Sequence, residues 1–512
     1  MRIYKWLDLT FLFTMLVATF NISAADEQFV VNTNSTPKSD IAYDLPDISG
    51  YTPAEVKKKM AYSRTLKKGR VTNPNLLGQV EVRMLYAGES FWNIAKKQKN
   101  IPKSLTVKSG TVELDALHRA YPKFLVKEKN QTYLAKLPIV VGIGATLIIE
   151  NATLKLSEDR GSFVSNGGTL YISNAKLVGW RESTNTPAFY TQNEKSFRPF
   201  VVGWGGSNTY ISESVVSSLG YFAPKSFGLT LSRYKVKEAE SMFQRKDFDF
   251  SKSPKGWFIH SVFEDIYYGF YCYEAEDIVI AHNVYRNNII YGIDPHDITS
   301  HLIIANNEVY GTKVKHGIII SRDVSDSYIF NNKSYKNNKS GIMLDRSSQR
   351  NIIVSNKTFE NGSDGITLYE SGYNIIANNQ SYKNKAHGIR VRNSQYFRLI
   401  DNYILSNKKF GVYIDTASLK THLHRDLKLD PFETKSSGYI SGGVIANNKS
   451  GSVYSKSSEF VSFYNLTLED NGSNRLRLGF GGDIERFHNQ IVKAMLVENK
   501  VVSLSKINEE AR

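Results

Sequence analysis

The chain has 512 residues, 41% of them hydrophobic and 12% aromatic, which is enough apolar material for a large core and excludes bulk disorder. Lys and Arg outnumber Asp and Glu by 65 to 49, a formal charge of +16, so the surface suits a polyanion: nucleic acid, anionic lipid or an acidic glycan. Cys272 is the only cysteine, which excludes an internal disulfide and any cysteine-built metal cluster.

In chain order, residues 1–25 have the layout of a secretory signal. A basic lead (Arg2, Lys5) precedes an uncharged, mostly apolar run from Leu9 to Phe20, and Ser23-Ala24-Ala25 offers small residues to a signal peptidase. The run is too short for a comfortable membrane span; an uncleaved anchor is the competing reading. No later segment has the length of a spanning helix, so no stable membrane span is expected. Asp26–Asp44 is polar. Pro53–Met60 and Glu113–Ala120 have helix-compatible patterns and are expected to cover one end of the molecule, within an N-terminal extension and cap over 26–134.

Internal repetition then dominates. Glycine followed by an apolar residue recurs at Gly269, Gly292, Gly317, Gly341, Gly365, Gly388 and Gly411, spaced 23 to 25 residues apart. Asparagine repeats in step at Asn283, Asn307, Asn332, Asn356, Asn379 and Asn402, with short β-rich runs between the two series. Repeats of this length without helical periodicity read as coils of a parallel β-helix, an all-β solenoid with capping segments at both ends. The asparagines are expected to stack their amides from coil to coil and to tolerate a left-handed corner, and the glycines to supply positive φ. Looser repeats at Gly144/Asn151 and Gly168/Asn174 carry the array upstream, so coils are expected over 135–470. Ala417–Ser437 breaks the period and reads as an inserted loop over 417–437. Residues 471–512 form the C-terminal cap, with an amphipathic helix over Ile484–Glu498.

Strand alternation assigns faces. The first and third residues after each glycine are mostly apolar and should fill the core, with Cys272 among them. The second and fourth should face outward as one stripe that includes Tyr271, Tyr273, Asp294, His296, Asp345, Tyr369, Arg390 and Arg392. Aromatic faces pack on pyranose rings and Arg forks bind carboxylates in pairs, so the stripe suits an acidic sugar polymer; an ordinary polar outer face is the competing reading. Lys and Arg are dispersed among acids, which disfavours nucleic acid or lipid, and an exported protein seldom meets DNA.

Asp294-Pro295-His296-Asp297 departs from its neighbours by turning a proline inward and surrounding an outward histidine with acids. Arg322 stands one coil later and one position past the stripe, and Arg346 repeats that position and is expected to join the stripe in binding the polymer. An imidazole beside a guanidinium suits abstraction of a proton next to a carboxylate: neutral His296 takes it, Arg322 neutralises the charge, and Asp294 or Asp297 orients the ring. A histidine held between two acids for structural reasons is the competing reading.

Tyr291-Gly292-Ile293-Asp294-Pro295-His296-Asp297, with Lys315-His316-Gly317-Ile318-Ile319 and Ser321-Arg322, resembles the periplasmic mannuronan C5-epimerases of bacterial alginate biosynthesis. Gly269-Phe270-Tyr271-Cys272-Tyr273-Glu274 and Lys428-Leu429-Asp430-Pro431-Phe432 carry the same resemblance. It implies a right-handed β-helix, His296 as proton acceptor, Arg322 as the carboxylate-neutralising group and water as donor on the opposite face. It also implies a periplasmic location, polymannuronate as substrate, and association with other periplasmic alginate polymerisation and export proteins. The secreted epimerases of the same reaction carry calcium-binding nonapeptide arrays; Gly479-Phe480-Gly481-Gly482-Asp483 is one partial match, so no metal or other cofactor is expected, calcium included. A polysaccharide lyase shares the first chemical step, and a non-catalytic polyuronate-binding scaffold shares the stripe; both stand as alternatives.

Overall fold

The computed structural model describes residues 29–35, 43–76, 95–99, 102–233, 252–419, 425–428, 430–473 and 478–507. The secretory-type segment over 1–25, Leu429 and parts of the insert and both caps lie outside them. Among the described residues no helix is long and apolar enough to cross a membrane.

Each coil contributes three short strands, which stack in parallel register into three sheets. The first sheet holds the glycine-led strands, such as Tyr268–Tyr273, Tyr291–His296, Ile318–Ser321, Ile342–Asp345 and Ile366–Tyr369. The second includes Ile303–Ala305 and Tyr328–Phe330, and the third Glu308–Tyr310 and Lys333–Tyr335. The architecture is a parallel β-helix. Ile318, Ile320, Ile342, Leu344, Ile366, Leu368 and Cys272 are all fully buried in one core running the length of the solenoid.

Two reasons given for the repeat need correction. The recurring glycines from Gly269 to Gly411 do not have positive φ. They are required because there is no room: a Cβ on Gly341 would lie 2.7 Å from the Asn361 amide nitrogen, and one on Gly317 2.6 Å from that of Asn337. Those amides belong to a second internal ladder that the repeat reading missed, Asn337–Asn361–Asn384–Asn407–Asn448–Asn471, bonded from coil to coil at 2.9–3.1 Å. The expected ladder from Asn283 to Asn402 bonds the same way at 3.0–3.1 Å. Its members are not the left-handed residues, however; the residue before each one is, as at Asn306 and Asn331. Each ladder asparagine is buried with its amide satisfied, which removes the cost of enclosing polar atoms.

The caps also differ in detail. Pro53–Thr65 is a helix capped by the Thr52 hydroxyl, but it lies along the second sheet rather than over an end. Its buried face, Val56 and Met60, covers outward apolar side chains at Ile148, Tyr171 and Ile259. Residues 43–51 continue this strap, with Tyr43 and Ile48 packed on the same sheet further along. Leu114–Ala120 closes the upstream end with Leu114 and Leu117 in the core. Residues 485–497 form 3-10, α and π turns in succession, burying Ile491, Ala494 and Met495. Finally Val501–Lys506 pairs antiparallel with both Phe460–Tyr464 and Phe29–Asn34.

Candidate active site

The outward positions of the first sheet form two registered rows. One runs Tyr273–His296–Ser321–Asp345–Tyr369–Arg392–Asp415, the other Tyr271–Asp294, then Ile319–Met343–Thr367–Arg390–Tyr413. The corner beyond the first row carries Asp297, Arg322 and Arg346 on successive coils, each with positive φ. That turn brings the corner side chains beside the end of the strand row.

His296, Asp297 and Arg322 meet there. His296 Nδ1 lies 2.6 Å from Asp297 Oδ2, and Asp297 Oδ1 lies 3.9 Å from Arg322 Nη1. An ionised carboxylate can only accept, so Nδ1 carries the proton and Nε2 keeps a free lone pair when the ring is neutral. Burial by itself would lower the His296 pKa, but the Asp297 hydrogen bond and the nearby Asp294 charge outweigh it, and the net shift is upward.

Asp294 is outward by register yet only 1% exposed, and neither carboxyl oxygen has a hydrogen-bond partner. Burial pushes its pKa up to about 7, opposed by His296 and Lys315. Burial first, and then the Asp294 charge, keep the Tyr268, Tyr271 and Tyr291 phenols protonated well above the ordinary tyrosine range. Asp345, two coils past His296, is raised to about 6, chiefly by burial.

The remaining stripe residues divide. Tyr271 lies beside the imidazole, ring centroids 5.6 Å apart, and Tyr273 precedes His296 in its row. Arg392 packs over Tyr369 at 5.4 Å and Arg390 over Tyr413 at 5.6 Å, while both share Asp415 at 3.5–3.6 Å. This pair stands four coils from His296. Arg346 is committed elsewhere: its guanidinium and the Ser347 hydroxyl hold Asp430 of the inserted loop. Arg425 of the same loop pairs with Glu370 at 2.5 Å and Asp430 at 3.1 Å, in a cluster where Arg425 and Glu370 are almost fully buried. The break in period marked the insert, but a pairing 55 residues apart leaves no local signal, so this staple escaped the sequence. His316, part of the motif but given no role by it, is half-buried; its Nδ1 accepts the Ser340 N–H, and loss of solvent pulls its pKa down to about 4.

Known proteins resemble the chain in both sequence and fold. Residues 299–426 match the family described as right handed beta helix region, and residues 207–358 match one described as periplasmic copper-binding protein (NosD). Among the described residues no three His, Cys, Asp or Glu side chains are placed to hold a metal, and burial pushes the lone thiol, Cys272, up to about 12. A mannuronan C5-epimerase of Pseudomonas aeruginosa is 40% identical over 91% of this chain and 84% of its own length. The mannuronan C5-epimerase AlgG of Azotobacter vinelandii is 42% identical over 91% of this chain and 87% of its own. The crystal structure of a periplasmic alginate epimerase, AlgG, superposes with a TM-score of 0.79 at 39% identity, covering 84% of this chain and 99% of that one. The chain belongs to the mannuronan C5-epimerase family.

Proposed function

We propose that this protein inverts C5 of β-D-mannuronate residues within alginate, converting them to α-L-guluronate in the periplasm. The observation that carries the reading is the contact of His296, Asp297 and Arg322 at one corner of a groove built for a linear polyanion. His296 Nε2 takes the C5 proton, Asp297 holds Nδ1–H and the ring orientation, and the Arg322 guanidinium neutralises the carboxylate as charge flows into it. Asp294 adds negative potential that favours the imidazolium formed in that step. A proton from water on the other face of the sugar completes the inversion.

Tyr271, Tyr273, Asp345 and Tyr369 line the polymer path near the reacting residue, and Arg390 and Arg392 meet a uronate further along. In the same reading the protein works beside other periplasmic alginate polymerisation and export proteins and needs no cofactor. In support of calcium independence, Gly479-Phe480-Gly481-Gly482-Asp483 is a single glycine-rich turn with no nonapeptide array behind it in the sequence.

The test is proton NMR of polymannuronate incubated with the protein in deuterated buffer containing a chelator. Guluronate signals carrying deuterium at C5, absent with His296→Ala, are the expected result. Olefinic uronate signals would make the protein a lyase, and unchanged polymer with intact binding would make it a scaffold.

A further inference from the structure

A second elongated cleft lies one face round from the groove, along the edge between the second sheet and the N-terminal strap. Two cavities compose it. One, of about 440 Å³, is lined by Tyr51, Tyr210, Lys255, Trp257, His301 and Tyr328. The other, of about 390 Å³, is lined by Lys59, Tyr62, Thr146, Tyr171 and Tyr210. Asn208 and Tyr210 belong to both, so they meet. Register places Tyr171, Tyr210, Trp257, Val279, Ile303 and Tyr328 on consecutive coils, a row five steps or about 24 Å long, in which Tyr171 and Val279 are buried with the strap and Tyr210, Trp257, Ile303 and Tyr328 stay half-buried.

The row begins as those of the third sheet do, with Tyr171 and Tyr210 stacked 13° from parallel, and departs from them at the next coil. Tyr310, Tyr335, Phe359 and Tyr382 stack within 14° of parallel and cover one another's faces. Trp257 instead stands at 89° to Tyr210 and at 87° to Tyr51, turned across the row. Lys59 Nζ lies 4.8 Å from its ring centroid, and Lys255 pairs with Asp277 at 2.5 Å, so the lining carries two ammonium groups against one carboxylate. Half-buried rings at Tyr210, Trp257 and Tyr328, polar edges and an excess of positive charge are what a chain of linked acidic pyranoses requires.

We propose that this cleft is a second, non-catalytic track for a 1,4-linked polyuronate chain, so that the protein holds two stretches of polymer on adjacent faces. The choice of ligand rests on the function proposed above. The test is calorimetric titration of the full-length His296→Ala protein with a decamannuronate, which fixes the composition of the ligand during the measurement. Two oligomers bound per protein are expected, falling to one with Trp257→Ala or Lys255→Glu added. In the otherwise wild-type protein the same two substitutions should leave kcat for the decamer within twofold. Lys255→Glu changes an exposed side chain and keeps the test valid if Trp257→Ala destabilises the fold. One oligomer per protein before either substitution, or two after both, would overturn the track. A neutral 1,4-linked mannan decamer should bind the track at least tenfold more weakly, and equal binding would overturn the uronate assignment. Absence of turnover in the wild type would count against the catalytic reading, with the track judged on the titration.

Discussion

In the coil Ile366–Tyr369 all four strand residues pair in register with both neighbouring coils, and the outward Thr367 hydroxyl bonds to Asp364 at 3.2 Å. In the coil Tyr291–His296 the upstream pairing runs unbroken from Ile293 to His296, but downstream only Ile293 and His296 pair. Ile293 and Asp297 both donate their N–H groups to the following coil, so residue 295 should donate between them, and proline has no N–H. The outward position beside it holds a buried carboxylate without a partner where the other coil holds a satisfied hydroxyl. The two coils share one backbone plan. What distinguishes the coil proposed as catalytic is a set of local costs, concentrated at the residues to which the proton abstraction is assigned.

The largest effect should come from removing the chemistry while keeping the plan. His296→Ala or Arg322→Ala should lower kcat about 10²- to 10⁴-fold, with circular dichroism and Tm nearly unchanged. If either variant loses Tm as steeply as activity, the contrast between the coils is structural rather than catalytic.

Asp294→Asn separates cost from function. The folded protein binds a proton at Asp294 up to about pH 7, whereas the unfolded chain releases it near pH 4, so this group's contribution to stability falls as pH rises through that window. The amide should therefore gain as much as about 4 kcal/mol at pH 8 by denaturant unfolding, and little at pH 4, while activity drops. A loss of stability at pH 8 would show that Asp294 is compensated.

The plain coils supply the reverse case. Asn356→Ala removes an amide from the middle of a buried ladder and should cost about 1–3 kcal/mol for each partner left unsatisfied, with kcat unchanged. Gly341→Ala should cost about 1–3 kcal/mol, because its Cβ would press on the Asn361 amide and the Gly365 carbonyl.

The smallest effect is a shift in profile. His296 must be neutral to act and its pKa is raised, so the acid limb of kcat/KM should lie above pH 6.5 and move to lower pH in Asp297→Asn. A limb that stays in place would remove Asp297 from control of the imidazole.

The solenoid was legible because each coil repeats the same physical demands, so one period identifies the fold and which side chains point inward. His296, Asp297 and Arg322 were legible as well, because the corner repeats and their relative places follow from counting. What escaped was whatever depends on two distant stretches meeting. The glycines were assigned to backbone freedom because nothing local shows that an asparagine amide crosses over them. Arg346 was assigned to the polymer because the carboxylate that occupies it, Asp430, arrives from an insert 84 residues away. Asp294 was placed outward correctly, but neighbouring rings and coils exclude water from it, and alternation alone says nothing of that.

The antiparallel pairing of Phe29–Asn34 with Val501–Lys506 sets an order of events. A strand near the start of the sequence has no partner until nearly the whole chain is available, since Phe29 lies opposite Lys506. Coils can zip up one against the next as they arrive, each step being short-range. The last act must then be a closure that spans almost the entire polypeptide, slow by its separation in sequence. Until it occurs the terminal strand edge is open, so the newly delivered protein passes through an interval in which its coils are formed but unlatched, a window for chaperones or proteases to act.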